Sequence, residues 1–302
     1  MNQQDIETFL MLVRTKNITK TAENLFVSQP TVSHRLKQLE DELNVSLLVR
    51  KKGHKRVELT AKGEAFIPIA ERWLSLMNET MMLQAREGVV YLNIGCTDTL
   101  NSTLFPELYR RISRDKNKRF SLNISTHYSI ELYELLDNYV IDVGFVYHHL
   151  HYKNIISEIL TREKMYIIQE ASSTLRRDKI FLSELDLEKE ICFIWETNFQ
   201  IWHEQMISHG RKPLFVVDTF RLLSEFMEEP GRWTIAPQSV VRELQKTHNL
   251  IVSEVADERQ PPERIIYMIT HKDMTEAKAA AVNAFREMML EYFKEIGLKL
   301  EV

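Results

Sequence analysis

Apolar positions in the first 43 residues recur at helical spacing and predict three short helices. The first covers residues 4–15, and the second covers residues 19–25 with Thr19 as its expected N-cap. Ser28 has the character of a further N-cap, and Pro30 follows in a first helical turn, where its missing N–H is not needed. One face of the third helix is apolar: Val32, Leu36, Leu39 and Leu43. Two helices therefore meet at a turn of about three residues, which carries Phe26 and Val27 where glycine is common.

The opposite face of the third helix is polar. It offers short donors and acceptors near its N-terminal end and a cation one turn later: Gln29, Thr31, Ser33, His34 and Lys37. Such a face suits contact with base edges in a major groove, as in the recognition helix of a helix-turn-helix. We expect Thr19, Ser28 and Pro30 at the same DNA surface. The alternative is a three-helix bundle with an ordinary solvated face.

Two short apolar runs, residues 47–50 and 57–60, predict a pair of strands joined by a loop in which Gly53 is free to take a left-handed turn. Between residues 50 and 56 there is no acid, and six side chains are basic or can become so: Arg50, Lys51, Lys52, His54, Lys55 and Arg56. A loop of this charge suits the phosphate backbone or a minor groove. The sequence thus predicts a wing in which Arg50, Lys52, His54 and Lys55 contact DNA, although a charge run can also be simply solvated.

From Thr60 the pattern predicts one long helix over residues 60–87. An apolar stripe runs along it: Phe66, Ala70, Trp73, Met77 and Met81. Because this helix follows a complete small domain, the stripe favours a seam with a partner helix. Pro68 lies in its interior, where proline costs about 3 kcal/mol in an isolated helix, so a bend or tertiary packing must absorb it.

After Gly88 the pattern changes to strands that alternate with helices. Strand-like runs at 89–95, 120–126 and 142–147 are separated by helical patterns at 102–114 and 130–138, which predicts an α/β arrangement with parallel strands. Seven more strand-like runs follow between residues 155 and 270, and a last amphipathic helix covers residues 276–294. This number of strands fits two lobes.

Several segments of the first 87 residues carry a family resemblance. The stretches 22–25 (Ala-Glu-Asn-Leu), 27–30 (Val-Ser-Gln-Pro) and Leu59-Thr60-x-x-Gly63 resemble, in order and spacing, the DNA-binding module of the LysR-type transcriptional regulators. The resemblance implies that Gln29, Pro30, Ser33 and His34 face DNA. His34 departs from the arginine that the family commonly has there.

The rest of the chain is similar, more loosely, to the effector domain of the same family, through segments such as 92–95, 97–100 and 141–144. That resemblance implies an α/β two-lobed, periplasmic-binding-protein-like domain with a small ligand in its cleft. We therefore expect an α+β winged helix-turn-helix N-terminal domain over residues 1–60, a long linker and dimerisation helix over 61–88, and an effector-binding domain over 89–302. Lobe I would comprise about 89–150 and 270–302, and lobe II about 151–269.

In open α/β sheets, ligands lie at the carboxyl ends of strands, beside helix N-termini. Polar or aromatic side chains follow the predicted strands at such positions: Thr97, Thr99, Tyr128, Ser129, Tyr147, Trp195, Thr197, Asn198 and Thr219. The resemblance adds Leu100 and Trp233, from segments expected to border the cleft. The set suits a small anionic metabolite, although Asp98 would oppose an acid. Each residue taken singly could instead cap a helix or stabilise a turn.

Composition and charge are consistent with this division. The 302 residues are 44% hydrophobic and 27% charged, which is ordinary for two or three globular domains. Nothing approaches the roughly 18 apolar residues of a membrane span, and the first twenty residues lack a signal core, so we expect a cytoplasmic protein. Residues 1–88 carry 13 Lys and Arg against 11 Asp and Glu, whereas the rest carries 26 against 32. Only the basic front part should attract DNA phosphates.

Other candidate chemistry is sparse. Cys96 and Cys192 lack metal-ligand spacing and lie in apolar runs, so we expect buried thiols, with a redox sensor as the alternative. His148, His149 and His151 are expected to be exposed loop histidines rather than metal ligands. The sequence has no phosphate-cradling glycine motif, no His-Glu-x-x-His and no nucleophile elbow. We expect no catalytic residue, no metal and no cofactor besides a small-molecule effector.

The resemblance thus implies a LysR-type transcription factor and not an enzyme. It would be a homodimer or homotetramer that binds a dyad operator in double-stranded DNA, contacts RNA polymerase and has no membrane partner. Effector binding would change lobe and dimer geometry and thereby the spacing or bend of bound DNA. Two other classes stay open at this point: a small-molecule binding or transport protein with an N-terminal oligomerisation module, and an enzyme that uses the cleft.

Overall fold

A computed structural model describes residues 2–49, 57–82, 90–115, 120–171 and 177–301. The chain forms two compact units, one of residues 1–89 and 137–140 and the other of residues 90–136 and 141–302. The tip of the predicted wing, with Arg50, Lys52, His54 and Lys55, lies outside the described residues, as do helical positions 83–87 and the side chain of Met81. Over the described ranges, no helix combines the length and apolar character needed to cross a membrane.

The first unit contains the predicted helix-turn-helix and wing. Its elements are α1 (Gln3–Thr15), α2 (Ile18–Asn24), α3 (Gln29–Leu43), β1 (Leu48–Val49), β2 (Glu58–Leu59) and α4 (Ala61–Met82). β1 and β2 pair antiparallel, with Leu48 opposite Leu59. One apolar core joins the helices and the start of α4: Ile6, Phe9, Leu12, Ala22, Val32, Leu36, Leu39, Phe66 and Ala70. The predicted helices and strands are confirmed here, with small differences in their ends.

The N-cap of α2 differs from the prediction. Asn17 has extended backbone dihedrals, φ −152° and ψ 120°, and its Oδ1 accepts the N–H of Lys20 at 3.1 Å. Thr19 lies inside the first turn and is exposed. The prediction of Thr19 as the cap was wrong because the helix begins at Ile18, so that its N-cap lies two residues before Thr19, at Asn17, whose side chain satisfies a free N–H.

The apolar stripe of α4 is divided between two surroundings. Phe66 and Ala70 are buried, and the ring of Phe66 lies 5.3 Å from that of Phe9 on α1, centroid to centroid. The prediction that these two residues form an intermolecular seam was therefore wrong, because α1 covers them within the chain. Ile69 and Leu76 are instead exposed. The helix continues through Pro68.

Over the described residues, the second unit contains a five-stranded sheet, a four-stranded sheet and a separate parallel pair of strands. Its elements are β3 (Val90–Cys96), α5 (Asp98–Thr103), α6 (Phe105–Arg114), β4 (Phe120–Thr126), α7 (Ser129–Asp137), β5 (Val143–Val146), β6 (Ile155–Glu163), β7 (Met165–Glu170), β8 (Lys179–Ile180), β9 (Ile191–Phe193), α8 (Thr197–His203), β10 (Phe215–Val217), α9 (Phe220–Phe226), β11 (Trp233–Pro237), α10 (Gln238–Leu244), β12 (Leu250–Val255), β13 (Arg264–His271) and α11 (Glu276–Glu295). Two 3₁₀ turns, Leu182–Glu184 and Leu187–Lys189, and a π-helical turn, Glu204–Ser208, complete it.

The first sheet has the order β4-β3-β5-β13-β6. β3 is parallel to β4 and β5, as predicted, but β13 is antiparallel to both of its neighbours. β13 lies outside the segments of that prediction, and the chain returns through it to this sheet from the second lobe. Helices α6 and α11 cover one face, with Phe105, Phe285 and Phe293 in the core.

The second sheet has the order β11-β7-β12-β8, and a bridge between Glu190 and Trp233 connects it to the parallel pair β9 and β10. The expected lobe boundaries differ from this arrangement, since they assign residues 151–269 to lobe II. β6 and most of β13 fall in that range, yet both hydrogen-bond within the first sheet. The chain thus crosses between the sheets around residue 164 and again between residues 255 and 264.

Candidate functional site

The first candidate surface is the N-terminal face of α3. Residues from the helix start through the second turn are exposed: Ser28, Gln29, Pro30, Ser33, His34 and Lys37, with Thr31 half-buried. The Ser28 hydroxyl accepts the N–H of Thr31 at 3.3 Å, so it caps the helix as predicted. Because the opposite face is buried in the core, the polar side chains of this face point to solvent at the end that recognition helices direct into a major groove.

Arg35, which follows His34, turns away from this face. Its guanidinium donates to Gln4 Oε1 at 2.7 Å and to Thr8 Oγ1 at 3.4 Å, both on α1. Arg35, which neighbours the reading face, therefore connects α3 to α1. His34 is exposed, so its imidazole is the side chain that remains available to DNA at that position.

The turn between α2 and α3 places Phe26 in the left-handed region at φ 54°, with 95% of the residue exposed. A non-glycine residue costs roughly 1–2 kcal/mol in that conformation. The N–H of Val27 donates to Ala22 O at 3.0 Å and closes the turn. The turn therefore keeps helix-turn-helix geometry although it lacks glycine.

Two contacts fix the wing against the helices. Glu40 is buried, and its Oε1 accepts the N–H groups of Leu47 and Leu48 at 2.7 and 3.0 Å. At the start of α4, a Cβ added to Gly63 would lie 2.1 Å from Leu47 O. Only glycine permits this close approach, which gives a physical reason for the Leu-Thr-x-x-Gly pattern.

The second candidate site is a cavity of about 640 Å³ in the second unit, between the first sheet and the segments that follow β9 and β10. A volume of this size suits a small metabolite. Eight residues expected at the cleft line it: Thr97, Thr99, Tyr128, Ser129, Tyr147, Trp195, Thr197 and Thr219. They come from the carboxyl ends of β3, β4 and β5 and from the segments that follow β9 and β10, so separate stretches converge as the sheet argument predicts.

Arg264 provides the positive charge of this cavity, and sequence reasoning missed it. It is 5% exposed, and its guanidinium carbon lies 3.3 Å from the ring centroid of Tyr147 and 4.3 Å from that of Trp195. Its Nε donates to Glu196 at 2.9 Å, whereas the buried Nη1 has no hydrogen-bond partner among the described residues. A buried cationic donor without a partner is costly, so this nitrogen is well suited to a ligand acceptor.

Hydroxyl groups surround this arginine. Tyr147 OH lies 2.9 Å from Thr99 Oγ1, and the N–H of Tyr147 donates to Ser129 Oγ. Burial raises the pKa of Tyr147, so its phenol stays protonated near neutral pH. Thr97 Oγ1 is buried and has no partner in the described part of the chain. Thr97 and Arg264 thus line the cavity, and each has one buried polar atom without a partner among the described residues.

The acids of the cavity are largely engaged. Asp98 Oδ2 accepts the N–H of Phe220 at 2.7 Å, and Glu196 is paired with Arg264. Glu131 accepts the N–H of Tyr128 and lies 3.7 Å from His127 Nδ1. The repulsion expected from Asp98 is therefore reduced by its hydrogen bond, while Asp218 stands exposed at the cavity.

Three expected cleft residues do not line the cavity. Leu100 is fully buried in the core of the first sheet. Trp233 is also buried, and its indole N–H donates to Asp186 O at 2.7 Å. Asn198 is exposed, and its Oδ1 accepts the N–H of Phe199. Helix geometry explains the first and third cases, because consecutive residues of a helix point in different directions.

Comparison with known proteins assigns both units. Residues 3–64 match the family model described as a bacterial regulatory helix-turn-helix protein of the lysR family, and residues 90–294 match the LysR substrate binding domain. The chain belongs to the LysR family. It is thus a LysR-type DNA-binding transcriptional regulator rather than an enzyme, and its second unit is a domain for a small-molecule effector.

Relatives extend this likeness over most of the chain. The sequence is 26% identical over 266 residues to the uncharacterised helix-turn-helix transcriptional regulator YraN of Bacillus subtilis strain 168, covering 87% of this chain and 88% of the relative. It is 30% identical over 142 residues to the regulator CitR of the same organism, which covers 46% and 48% of the two chains. Full-length CbnR in complex with its target DNA has the same fold, with a TM-score of 0.66, 22% identity and coverage of 97% and 100%.

Within this LysR-type regulator, Arg264 was not found from sequence because it begins the strand that returns to the first sheet. Its pattern is that of an ordinary strand end, far along the chain from Tyr147 and Trp195. A basic residue at the first position of the long apolar strand Arg264–His271 was the available signal. That signal alone does not distinguish a ligand contact from a surface charge.

Proposed function

We propose that this LysR-type regulator reads a dyad operator with the N-terminal face of α3 from each of two protomers. The one-sided burial of α3 carries the proposal, because it leaves Gln29, Ser33 and His34 as exposed donors and acceptors. Lys37, one turn later, is placed for a phosphate contact. Backbone contacts from the basic wing loop, residues 50–56, stay a prediction. A DNA-binding role supports a cytoplasmic location, which stays a prediction, as does contact with RNA polymerase.

The test compares base reading with phosphate binding. Ser33→Ala and His34→Ala should each reduce discrimination between the operator and base-substituted sites by about 1–3 kcal/mol. Lys37→Ala should weaken binding to all sequences and lower the salt slope by about 1. Fluorescence anisotropy with an operator selected from random DNA measures both effects. Arg110→Ala, which removes an exposed cation of the second unit, is the control. Unchanged discrimination in the Ser33 and His34 variants would contradict the assigned reading face.

We also propose that α4 pairs with its counterpart in a homodimer. Ile69 and Leu76 are exposed, and their separation of seven residues places them on one stripe of the helix. This stripe lies beside the one that α1 covers. Assembly of two dimers into a tetramer stays a prediction.

The effector that the second unit supports best is a small anionic metabolite. Its carboxylate or a similar group would accept from Arg264 Nη1 and Thr97 Oγ1, buried donors that have no partner among the described residues and belong to side chains that line the cavity. The rings of Tyr147 and Trp195 hold the guanidinium in place and limit its access to water. An oxidation-sensing role has less support, because burial raises the pKa of Cys96 well above its usual value and that of Cys192 to about 12.

A thermal-shift screen of mono-, di- and tricarboxylates and inorganic anions on the full chain tests this assignment, since a ligand at about 100 times its Kd adds roughly 2.7 kcal/mol of stability. Arg264→Lys keeps the charge but loses the planar fork, and should weaken a hit at least about tenfold. Arg232 offers a matched control, because it also contacts an aromatic ring, Phe215, and a carboxylate, Glu229, but does not line the cavity. A hit that Arg264→Lys and Arg232→Lys affect equally would contradict the assignment.

The transport alternative predicts no salt-sensitive DNA binding at all. The family assignment of residues 3–64 and the exposed polar face of α3 weigh against it. The same anisotropy measurement distinguishes the two functions.

A further inference from the structure

The second unit contains a cluster of three side chains with metal-binding donor atoms, away from the cavity described above. Glu190, Cys192 and His203 each offer one ligand atom, and these atoms lie within 4.8 Å of one another. Glu190 is 1% exposed, His203 is 6% exposed, and Cys192 is half-buried. The sequence predicted no metal site because the two cysteines have no metal-ligand spacing. Folding brings the three side chains together although their spacing in the sequence does not indicate a metal site.

Strand geometry brings the first two donors together. Side chains of a strand alternate in direction, so Glu190 and Cys192, on either side of Ile191 at the start of β9, point the same way. His203 is the last residue of α8, which follows β9. The chain then enters the π-helical turn Glu204–Ser208, a type of irregularity often found at functional sites.

One potential metal-ligand atom of the cluster takes part in no hydrogen bond within the described residues. His203 Nε2 lies 2.6 Å from Glu190 Oε1, while Glu190 Oε2 is buried and has no partner within the described residues. An acceptor oxygen isolated from water in this way is unfavourable unless something binds it. A cation between Oε2, the Cys192 sulfur and the His203 ring would bind it.

A further contact orients the histidine. Ser208 Oγ lies 2.9 Å from His203 Nδ1, the ring nitrogen that faces away from the cluster. Metal-bound histidines commonly donate from the second ring nitrogen to an oxygen, which fixes the tautomer. Ser208, positioned by the π-helical turn, is placed for that role.

From this arrangement we propose that Glu190, Cys192 and His203 form a divalent metal site for Zn²⁺ or a similar borderline ion. One thiolate, one imidazole and one carboxylate is a donor set that zinc accepts, with water as the fourth ligand. Tetrahedral zinc separates its ligand atoms by roughly 3.3–3.8 Å. Separations near the 4.8 Å limit would therefore shrink by about 1 Å, while His203 Nε2 and Glu190 Oε1, now 2.6 Å apart, would move apart. Binding releases the Cys192 thiol proton to solvent. The His203 proton moves from Nε2 to Nδ1, and the Nδ1–H then donates a hydrogen bond to Ser208 Oγ.

The ion would connect two elements that form one wall of the effector cavity. β9 leads from Cys192 into Phe193 and Trp195, and α8 begins at Thr197, all of which line the cavity. A metal that joins β9 to the end of α8 would therefore stabilise that wall. The half-buried Cys192 provides the side from which the ion enters.

The test uses the full chain, freed of metal with a chelator and titrated with Zn²⁺ and, separately, Co²⁺. We expect one equivalent of Zn²⁺ per chain, a rise in melting temperature, and a sulfur-to-cobalt charge-transfer band with Co²⁺. Cys192→Ala should abolish the band and weaken binding more than about tenfold, and Ser208→Ala should weaken it about 10- to 100-fold while keeping the band. Glu190→Gln, which is isosteric, should also weaken binding, whereas Cys96→Ala, which alters the other buried thiol, should change neither.

Three results would overturn the proposal. One is a melting temperature that Zn²⁺ does not raise. Another is binding that Cys192→Ala and Cys96→Ala leave equally intact. The third is binding that disappears only when His148, His149 and His151 are replaced, which would assign the ion to that loop.

Discussion

The DNA-binding unit and the effector cavity present their functional side chains in different ways. The reading face of α3 comes from ten consecutive positions, Ser28 to Lys37, and one helix places all of it. The cavity instead takes its lining from residues between Thr97 and Arg264, contributed by segments of the first sheet and of the pair β9 and β10. A short local pattern therefore defines the first surface, whereas the second exists only once these segments have come together. We therefore expect a single overpacking substitution to disable the first unit. In the second unit we expect buried charged side chains to set the properties of the cavity.

The largest effect is expected where the first unit is most tightly packed. Gly63→Ala would place a methyl group 2.1 Å from Leu47 O, a backbone atom that cannot move without shifting β1. Overpacking of this kind costs typically 1–3 kcal/mol, and here we expect about 3 kcal/mol together with loss of operator binding. Peptide-resolved hydrogen exchange should show increased exchange over residues 2–82 and little change after residue 90.

Gly210→Ala is the control for this substitution. No atom lies within 4 Å of the added Cβ, and its positive φ of +82° should cost only roughly 1–2 kcal/mol. Equal destabilisation by the two substitutions would show that the close approach at Gly63 has no special role.

This contrast explains how much could be predicted from the sequence. Periodicity and capping located α1, α3, the wing strands and the exposed side chains of the reading face, because those features depend on neighbours within one or two helical turns. The same reasoning found Thr97, Ser129 and Tyr147, since strand ends in an α/β sheet converge. It missed Arg264 and misassigned β6 and β13, because strand pairing between distant segments leaves no local signal. It also could not tell that α1 would cover Phe66.

We expect an effect of intermediate size when the exposed stripe of α4 is changed. This prediction concerns assembly of the protein, whereas the previous one concerns folding. Leu76→Glu introduces a charge at an exposed apolar position that the dimer proposal buries. Sedimentation velocity should shift from dimer towards monomer, and operator affinity should fall by at least about tenfold because two reading helices no longer act together. Leu222→Glu, at an exposed apolar position of α9 in the second unit, tests whether any acid placed on an exposed apolar side chain has the same result. A Leu76→Glu protein that stays dimeric would place the interface elsewhere.

The smallest effect concerns a buried carboxyl group beside the cavity. Glu163 ends β6 and accepts the N–H and the hydroxyl of Ser239 at 2.7 and 3.0 Å. Burial raises its pKa, while Ser239, Arg264 and Arg242 act in the opposite direction and only partly offset this. Above the unfolded-state pKa of about 4.3, the folded state therefore keeps a proton that the unfolded state has lost. Because the native state then binds more protons, the free energy of unfolding falls as pH rises from that value through the raised folded pKa.

Glu163→Gln removes this proton-linked loss while its amide oxygen can still accept from Ser239. We expect the variant to lose less stability than the original protein as pH rises from about 4.3 towards neutrality, measured by chemical unfolding at a series of pH values. Glu158→Gln supplies the control, since Glu158 lies on the same strand but is half-exposed and pairs with Arg286. If Glu163→Gln and the original protein gave parallel pH profiles, Glu163 would already be ionised in the folded state, with Arg264 and Arg242 offsetting the cost of its burial. The buried charges near the cavity would then all be paired, whereas the first unit depends on close apolar packing.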